Sequence, residues 1–94
     1  MPTSSDSDTQ APLPDDSDFR YLARLVDILH EQRAAQGLTK RELSLKSGTA
    51  IGAIGRAERY ERFPGIPVLR KISRALNLSW VDLCQQAEDR NLEK

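Results

Sequence analysis

The sequence predicts an all-α domain of five helices that follows a disordered, acidic N-terminal tail. Three observations support this fold class. Apolar residues between residues 18 and 90 recur at three- and four-residue steps, the period of an amphipathic helix. Capping and turn residues separate the periodic segments, and no segment alternates apolar and polar residues as a strand does. With 94 residues, the chain has room for one modest core and therefore for one domain.

The N-terminal tail, residues 1–17, consists mainly of Ser, Thr, Asp and Pro. It contains too few apolar side chains to offset the entropy lost on ordering, so we expect disorder there. The first predicted helix begins at Asp18, a typical N-cap residue, and runs to about Gln36. Gly37 supplies the left-handed residue that ends it. Its periodic apolar residues are Phe19, Leu22, Leu25, Val26, Ile28 and Leu29.

Two short helices joined by a tight turn come next, in the arrangement of a helix-turn-helix. Thr39 and Glu42 have the spacing of a capping box at the start of the first of these helices. Gly48 lies in the turn, and the next helix covers about residues 50–59. That helix contains two interior glycines, each costing about 1 kcal/mol relative to Ala. Such local conflicts often mark functional positions, although close packing of another backbone also favours glycine.

Pro64 and Pro67 interrupt the helical pattern and predict a loop. A fourth helix starts near Pro67, which fits a first helical turn, and ends at Leu76. Asn77 can adopt the left-handed conformation that closes a helix.

The fifth predicted helix begins after Ser79, an N-cap residue with Asp82 three positions later. It runs from Trp80 to about Asp89. Residues 91–94 are expected to fray.

Charges are segregated along the chain, although the formal net charge is zero. Residues 1–18 carry five Asp and no Lys or Arg, whereas residues 33–74 carry ten Lys and Arg against three Glu. A local excess of cations is what neutralisation of phosphates requires. We interpret the acidic tail as a solvating segment, and a sharper hypothesis is that it folds transiently onto this basic face and competes with phosphates for it.

Composition argues against several classes of function. Cys84 is the only cysteine and His30 the only histidine, which excludes an internal disulfide and a cysteine-rich metal cluster. We expect no metal, no cofactor and no enzymatic activity, because no convergent set of polar groups suggests a catalytic site. The sequence has neither an export signal nor the roughly 20 apolar residues that span a bilayer. We therefore expect a cytoplasmic protein with no membrane contact, and a nucleoid-associated one if the basic segment binds nucleic acid.

A set of residues at fixed spacing extends over about residues 25–83: Arg33, Gly37, Leu38, Thr39, Glu42, Leu43, Gly48, Ile54, Glu58, Pro64, Leu69, Ala75, Leu76 and Ser79. This set resembles the lambda-repressor-like Cro/CI family, also called the Xre family. The resemblance implies a five-helix DNA-binding domain over residues 18–90, with its helix-turn-helix at about residues 39–59. It implies a transcription regulator, here expected to be a repressor, that binds double-stranded DNA with its third helix in the major groove.

The resemblance also implies roles for individual residues. Arg33 and Glu58 match a structural salt bridge between the first and third helices. Lys40, at the start of the second helix, matches a position that contacts phosphate. The candidate DNA-contacting residues are Lys40, Thr49, Ala50, Ile51, Gly52, Ala53, Arg56, Arg59 and Arg62.

The base-reading positions depart from the polar residues usual in the family. They offer methyl groups and, at Gly52 and Gly55, bare backbone that lets the helix approach the groove closely. Only Arg56 is a strong reader, worth about 1–3 kcal/mol of discrimination if it pairs with guanine. We therefore expect either a T-rich operator read through shape and phosphates or low sequence selectivity.

A homodimer is expected, because one recognition helix reads few base pairs and two-fold symmetry doubles them. Trp80, Leu83 and Ala87 form the predicted dimer region, although all three residues also suit the core. Two alternative functions remain open. The surface around Ile51 would suit a protein partner, such as an antitoxin partner or a transcription-machinery component, and the basic segment would suit a low-specificity DNA binder.

Overall fold

The structure is a computed structural model that describes residues 16–92. Within this range the chain forms five helices and no strand: α1 (Asp16–Ala35), α2 (Lys40–Ser47), α3 (Ile51–Glu58), α4 (Ile66–Ala75) and α5 (Trp80–Leu92). The predicted all-α class is confirmed. None of these helices combines the length and apolar character needed to cross a membrane. Most of the predicted tail, residues 1–15, lies outside the described residues, as do residues 93 and 94.

All five helices contribute to one apolar core. α5 packs along α1, α2 packs against α3 and α4, and α3 also contacts α1. Since α2 and α3 have eight residues each, they cannot bury a core between themselves and depend on the other three helices. The buried cluster includes Leu25, Ile28, Leu29, Leu43, Ile54, Leu69, Ile72, Leu76, Leu83 and Ala87.

Local side-chain chemistry fixes most helix ends. Gly37 and Asn77 have φ angles of 71° and 61°, so each adopts the predicted left-handed conformation, and Gly48, in the predicted turn, has a φ of 73°. At the start of α2, the Glu42 N–H donates to Thr39 Oγ1 at 3.0 Å, and the Thr39 N–H donates to Glu42 Oε1 at 2.8 Å. The predicted capping box is therefore present.

Two helix ends differ from the prediction. Asp18 lies inside α1 rather than at its N-cap, because the helix already includes Asp16. α5 continues to Leu92, three residues beyond the predicted end. Its last turn is held against α1 by Arg90, which donates to both carboxylate oxygens of Glu31 at 3.0 and 2.7 Å.

The loop between α3 and α4 is anchored on α1. Phe63 packs between two aromatic rings, with its centroid 5.4 Å from that of Phe19 and 6.5 Å from that of Tyr60. The Tyr60 hydroxyl donates to the Asp27 carboxylate on α1, a bond that raises the pKa of Tyr60. Tyr60 itself has a φ of 61°, the conformation that turns the chain away from α3. The chain segment that leaves α3 is thus held in place.

Candidate nucleic-acid interface

The turn between α2 and α3 is fixed by two serine side chains. Ser44 Oγ donates to the Thr49 carbonyl at 2.6 Å, and the Thr49 N–H donates to Ser47 Oγ at 3.2 Å. Gly48, in the left-handed conformation, closes α2 through a hydrogen bond from its N–H to the Ser44 carbonyl. These bonds set the angle at which α3 leaves α2.

The structure of this turn disagrees with one of the predicted DNA contacts, that of Thr49. Thr49 is only 7% exposed, and its hydroxyl oxygen is buried without a hydrogen-bond partner among the described residues. The two serine bonds hold its backbone against α2 and turn its side chain inward. Thr49 therefore belongs to the framework of the turn and does not offer its hydroxyl to a ligand.

α3 has one buried and one exposed face. Ile54 and Ala57 point into the core, as the helical period predicts. The exposed face carries Ile51, which is 47% exposed, and Arg56. Ala50 and Gly52 are also exposed, whereas Ala53 is half-buried. The structure therefore brings Ala50, Ile51, Gly52 and Arg56 to one accessible surface, which we call the α3 face.

The two glycines of α3 have different environments. Gly52 is exposed on the α3 face, but Gly55 is buried. The side chain of Arg59 lies across Gly55, so close that a β-carbon there would be 3.1 Å from Arg59 Nη1. The expectation that both glycines permit close approach to a groove is therefore wrong for Gly55. At each site the three nearest atoms to such a β-carbon belong to an arginine side chain, so close packing of another backbone does not explain either glycine.

Glu58, at the end of α3, binds Arg33 of α1. Arg33 Nε donates to Glu58 Oε2 at 2.8 Å, and Nη2 donates to Oε1 at 3.0 Å. Arg33 Nη1 also donates to the Leu38 carbonyl at 2.7 Å, so one guanidinium joins α1, the turn after it and α3. The Glu58 side chain is only 8% exposed. Such a bidentate pair fixes the orientation of α3 relative to α1.

His30 is a third member of this cluster, and sequence reasoning missed it. Its Nδ1 lies 3.0 Å from Glu58 Oε1. Burial alone would raise the pKa of Glu58, but the hydrogen bonds and charge of Arg33, together with His30, lower it overall. The available signal was spacing, since His30 stands three residues before Arg33 and shares its helix face.

Cations flank the α3 face on both sides along the chain. Lys40 is the first residue of α2 and is half-buried, while Arg59 and Arg62 follow α3 and are exposed. Arg59 is already engaged: its Nε and Nη2 donate to the carboxylate of Glu61 at 2.9 and 3.2 Å. The hydrogen bonds from Arg59 lower the pKa of Glu61. Glu61 therefore competes with any phosphate for Arg59.

Glu61→Gln should strengthen binding to duplex DNA, because it frees Arg59 and removes a negative charge near the α3 face. We expect a gain of about two- to fivefold at low salt, the scale of one exposed ion pair. Fluorescence anisotropy with a labelled duplex measures it. Asp89→Asn on α5, an exposed position with the same change in net charge, is the control and should change affinity little. Equal gains in DNA affinity from both variants would contradict the idea that Glu61 competes with phosphate for Arg59.

The predicted dimer region is largely internal. Leu83 and Ala87 are 1% and 0% exposed, because α5 turns them into the protomer core. This part of the prediction is wrong. Trp80 is half-buried against the core, and next to it Val81 is exposed.

The accessible surface of α5 is a groove that α1 also lines. It is bordered by Tyr21, Trp80, Val81, Cys84, Gln85 and Glu88. Burial, and then a hydrogen bond with Cys84, raise the pKa of Tyr21 to about 12. Cys84 is half-buried in this groove. Over residues 16–92, no group of three or more His, Cys, Asp or Glu residues is arranged to hold a metal ion.

Comparison with known proteins identifies the fold of this interface. The helix-turn-helix family matches residues 29–83. None of the curated protein sequences matches significantly.

Three similar solved structures are of the restriction-modification controller protein C.Esp1396I. A mutant of it aligns at 25% identity with a TM-score of 0.70, over 77% of this chain and 91% of its own. The wild-type protein aligns at 24% identity with a TM-score of 0.70, over 79% and 96%. The tetramer in complex with its natural 35 base-pair operator aligns at 25% identity with a TM-score of 0.69, over 77% and 95%.

The family match covers more than half of the chain and includes α2, the turn and α3. It also includes the Arg33–Glu58 pair that joins α3 to α1. The chain belongs to the Cro/CI-type (Xre) helix-turn-helix family of DNA-binding transcription regulators.

Proposed function

We propose that this regulator is a repressor that binds duplex DNA by inserting α3 into the major groove. The observation that carries the proposal is the α3 face: an accessible helical surface bearing Arg56 whose opposite side is anchored in the core by Ile54. A guanidinium can donate two hydrogen bonds to guanine O6 and N7, the commonest specific contact in a major groove. The methyl groups of Ala50 and Ile51 suit contact with thymine methyls.

Phosphate contacts would position the protein on the duplex. Lys40 stands at the N-terminus of α2, where the helix dipole and free N–H groups also favour an anion. Arg62 lies in the loop beyond α3, a loop that the Tyr60 and Phe63 contacts attach to α1. Contacts of this kind determine register and orientation but carry little sequence information.

The unit that binds DNA is proposed to be a homodimer. One α3 spans too few base pairs for a specific site, and a two-fold axis doubles the contacts. The similar protein C.Esp1396I binds its operator as a tetramer. With Leu83 and Ala87 internal, the exposed part of α5 around Trp80 and Val81 is the surface we assign to the second copy. A regulator of this kind acts on the genome, and we place it at the nucleoid in the cytoplasm.

Selection from random duplex DNA, performed with the wild type and with Arg56→Ala, tests the proposal. The wild type should enrich a two-fold symmetric motif. Arg56→Ala should lose the preference for one guanine per half-site while it keeps the rest of the motif. Uniform weakening without loss of that preference would make Arg56 a phosphate contact. Failure to enrich any motif, despite binding, would indicate a low-specificity DNA binder.

A protein-interaction module is the second candidate, and the exposure of two apolar side chains favours it. Ile51 is 47% exposed on α3, and Leu45 is 77% exposed on α2. Apolar surface of this kind often contacts other proteins. An interface centred on Ile51 would respond little to salt, whereas binding through Lys and Arg to phosphates weakens steeply as salt rises.

A further inference from the structure

On its exposed face, the N-terminal half of α3 carries no side chain that can donate a hydrogen bond to a base. Ala50, Ile51 and Gly52 provide only methyl groups, an aliphatic chain and bare backbone. Base edges are distinguished chiefly by hydrogen-bond donors and acceptors. A helix that reads sequence at this end therefore needs a donor from elsewhere.

The structure supplies that donor from one turn further along α3. The Arg56 side chain runs back towards the start of the helix, the direction that long side chains take on helices. Its guanidinium lies over Gly52. A β-carbon at Gly52 would be 3.0 Å from Arg56 Nη1, 3.7 Å from Cζ and 3.8 Å from Nη2. These are the three nearest atoms outside the local helix backbone.

The distance of 3.0 Å shows that a side chain at position 52 and the guanidinium of Arg56 compete for space. Carbon atoms at optimal contact with other heavy atoms lie about 3.5–4.0 Å away. Any residue other than glycine would therefore move the guanidinium outward, by a few tenths of an ångström for the methyl group of alanine and further for a larger side chain. Position 52 is regular helix with a negative φ, so backbone conformation gives no reason for glycine there.

We propose that Gly52 is a positioning residue for base recognition, an inference that rests on the proposed function. By leaving its surface bare, Gly52 lets the Arg56 guanidinium lie at the N-terminal end of α3. That end of a recognition helix is the part that usually meets base edges. The glycine and the arginine then act as one reader, which accounts both for the glycine in the first turn of α3 and for the missing polar side chain.

A second glycine–arginine pair at the same spacing provides a matched control. Arg59 lies across Gly55 in the same way, with its Nη1 3.1 Å from the position of a β-carbon. Gly55, however, is buried, and Arg59 is bound by Glu61. A methyl group at Gly55 would therefore contact the Arg59 guanidinium, just as a methyl group at Gly52 would contact that of Arg56. Arg59, however, does not belong to the α3 face.

The experiment compares five proteins on two duplexes: the selected half-site and the same site with the Arg56-dependent guanine replaced. The proteins are the wild type, Gly52→Ala, Arg56→Ala, the double variant and Gly55→Ala. The wild type should prefer the guanine by about 5- to 100-fold. Gly52→Ala should lower this preference at least about threefold and have no further effect when Arg56 is already Ala. Gly55→Ala should leave the preference unchanged.

Thermal unfolding of the same variants separates positioning from damage to the fold. Because alanine favours helix, Gly52→Ala at its exposed position should raise the melting temperature, by about 4–8 °C if the full propensity difference appears. Gly55→Ala should raise it less, because its methyl group meets Arg59 at a buried site. Lower selectivity in a more stable Gly52→Ala protein would support the proposal.

Two results would overturn the inference. One is an unchanged guanine preference in Gly52→Ala alongside its loss in Arg56→Ala, which would mean that Arg56 reads from an extended conformation. The other is an equal loss of preference in Gly55→Ala, which would trace the effect to the helix as a whole. Absence of binding to any duplex by the wild type would instead refute the proposed function itself.

Discussion

Arg33→Ala is expected to lower the free energy of unfolding by about 3–5 kcal/mol, the usual effect of removing one partner of a buried ion pair. Glu58 would keep its charge at an 8% exposed site with only His30 beside it. The Leu38 carbonyl would also lose its donor. For a small domain this is a large fraction of the total stability. Urea unfolding monitored by circular dichroism measures the difference.

Arg90→Ala is the matched control for this prediction. Arg90 also donates two hydrogen bonds to a glutamate on α1, but the Arg90 and Glu31 side chains are 36% and 56% exposed. Exposed pairs contribute about 1 kcal/mol or less, so the control should lose little stability. Equal losses from Arg33→Ala and Arg90→Ala would refute the special role of the Glu58 cluster.

The Arg33–Glu58 pair also determines the direction in which stability changes with pH. The pKa of Glu58 is lowered in the folded protein, so its carboxylate stabilises the fold fully above the ordinary glutamate pKa. This contribution is lost as the pH falls through the lower, folded-state pKa. In Arg33→Ala, burial acts without the compensating guanidinium and favours the protonated acid. The stability difference between wild type and variant should therefore shrink from about pH 7 to about pH 3.

DNA affinity is expected to fall about a thousandfold between about 50 and 200 mM salt. If Lys40, Arg59 and Arg62 each contact phosphate, a dimer makes about six such contacts, and their formation releases condensed counterions. Anisotropy titrations at several salt concentrations give the slope of log K against log salt. The size of this effect separates phosphate binding from an apolar interface around Ile51.

Single substitutions show which residues contribute to the slope of log K against log salt. Lys40→Ala should reduce it by about one unit per protomer and weaken binding to all sequences equally, as expected for a phosphate contact. Leu45→Ala, also on α2, removes no charge and serves as the control. A wild-type affinity that changes less than about tenfold over the same salt range would argue against groove binding through these cations.

The sequence predicted elements whose causes are local. The capping box of Thr39 and Glu42 and the left-handed residues Gly37 and Asn77 act within a few positions along the chain, and the structure confirms each of them. The end of α5 was missed, because its last turn depends on Glu31, which lies 59 residues from Arg90 along the chain. Contacts between distant segments leave no periodic signal.

The candidate site was predictable in outline but not in the state of each side chain. Spacing placed Arg56 and Ile51 on the exposed side of α3. It did not show that serine hydrogen bonds turn Thr49 inward, or that Glu61 engages Arg59 from two residues away. Nor did it show Arg56 lying over Gly52, because side-chain direction depends on the space left by neighbours.

The double engagement of Glu58 has a thermodynamic consequence for recognition. Since Arg33 and His30 hold the end of α3 while the domain is free, no disorder-to-order transition of this helix need accompany complex formation. Association then costs less conformational entropy than it would for a segment that folds on its target. Calorimetry should accordingly show a modest negative heat-capacity change, without the large signature of coupled folding.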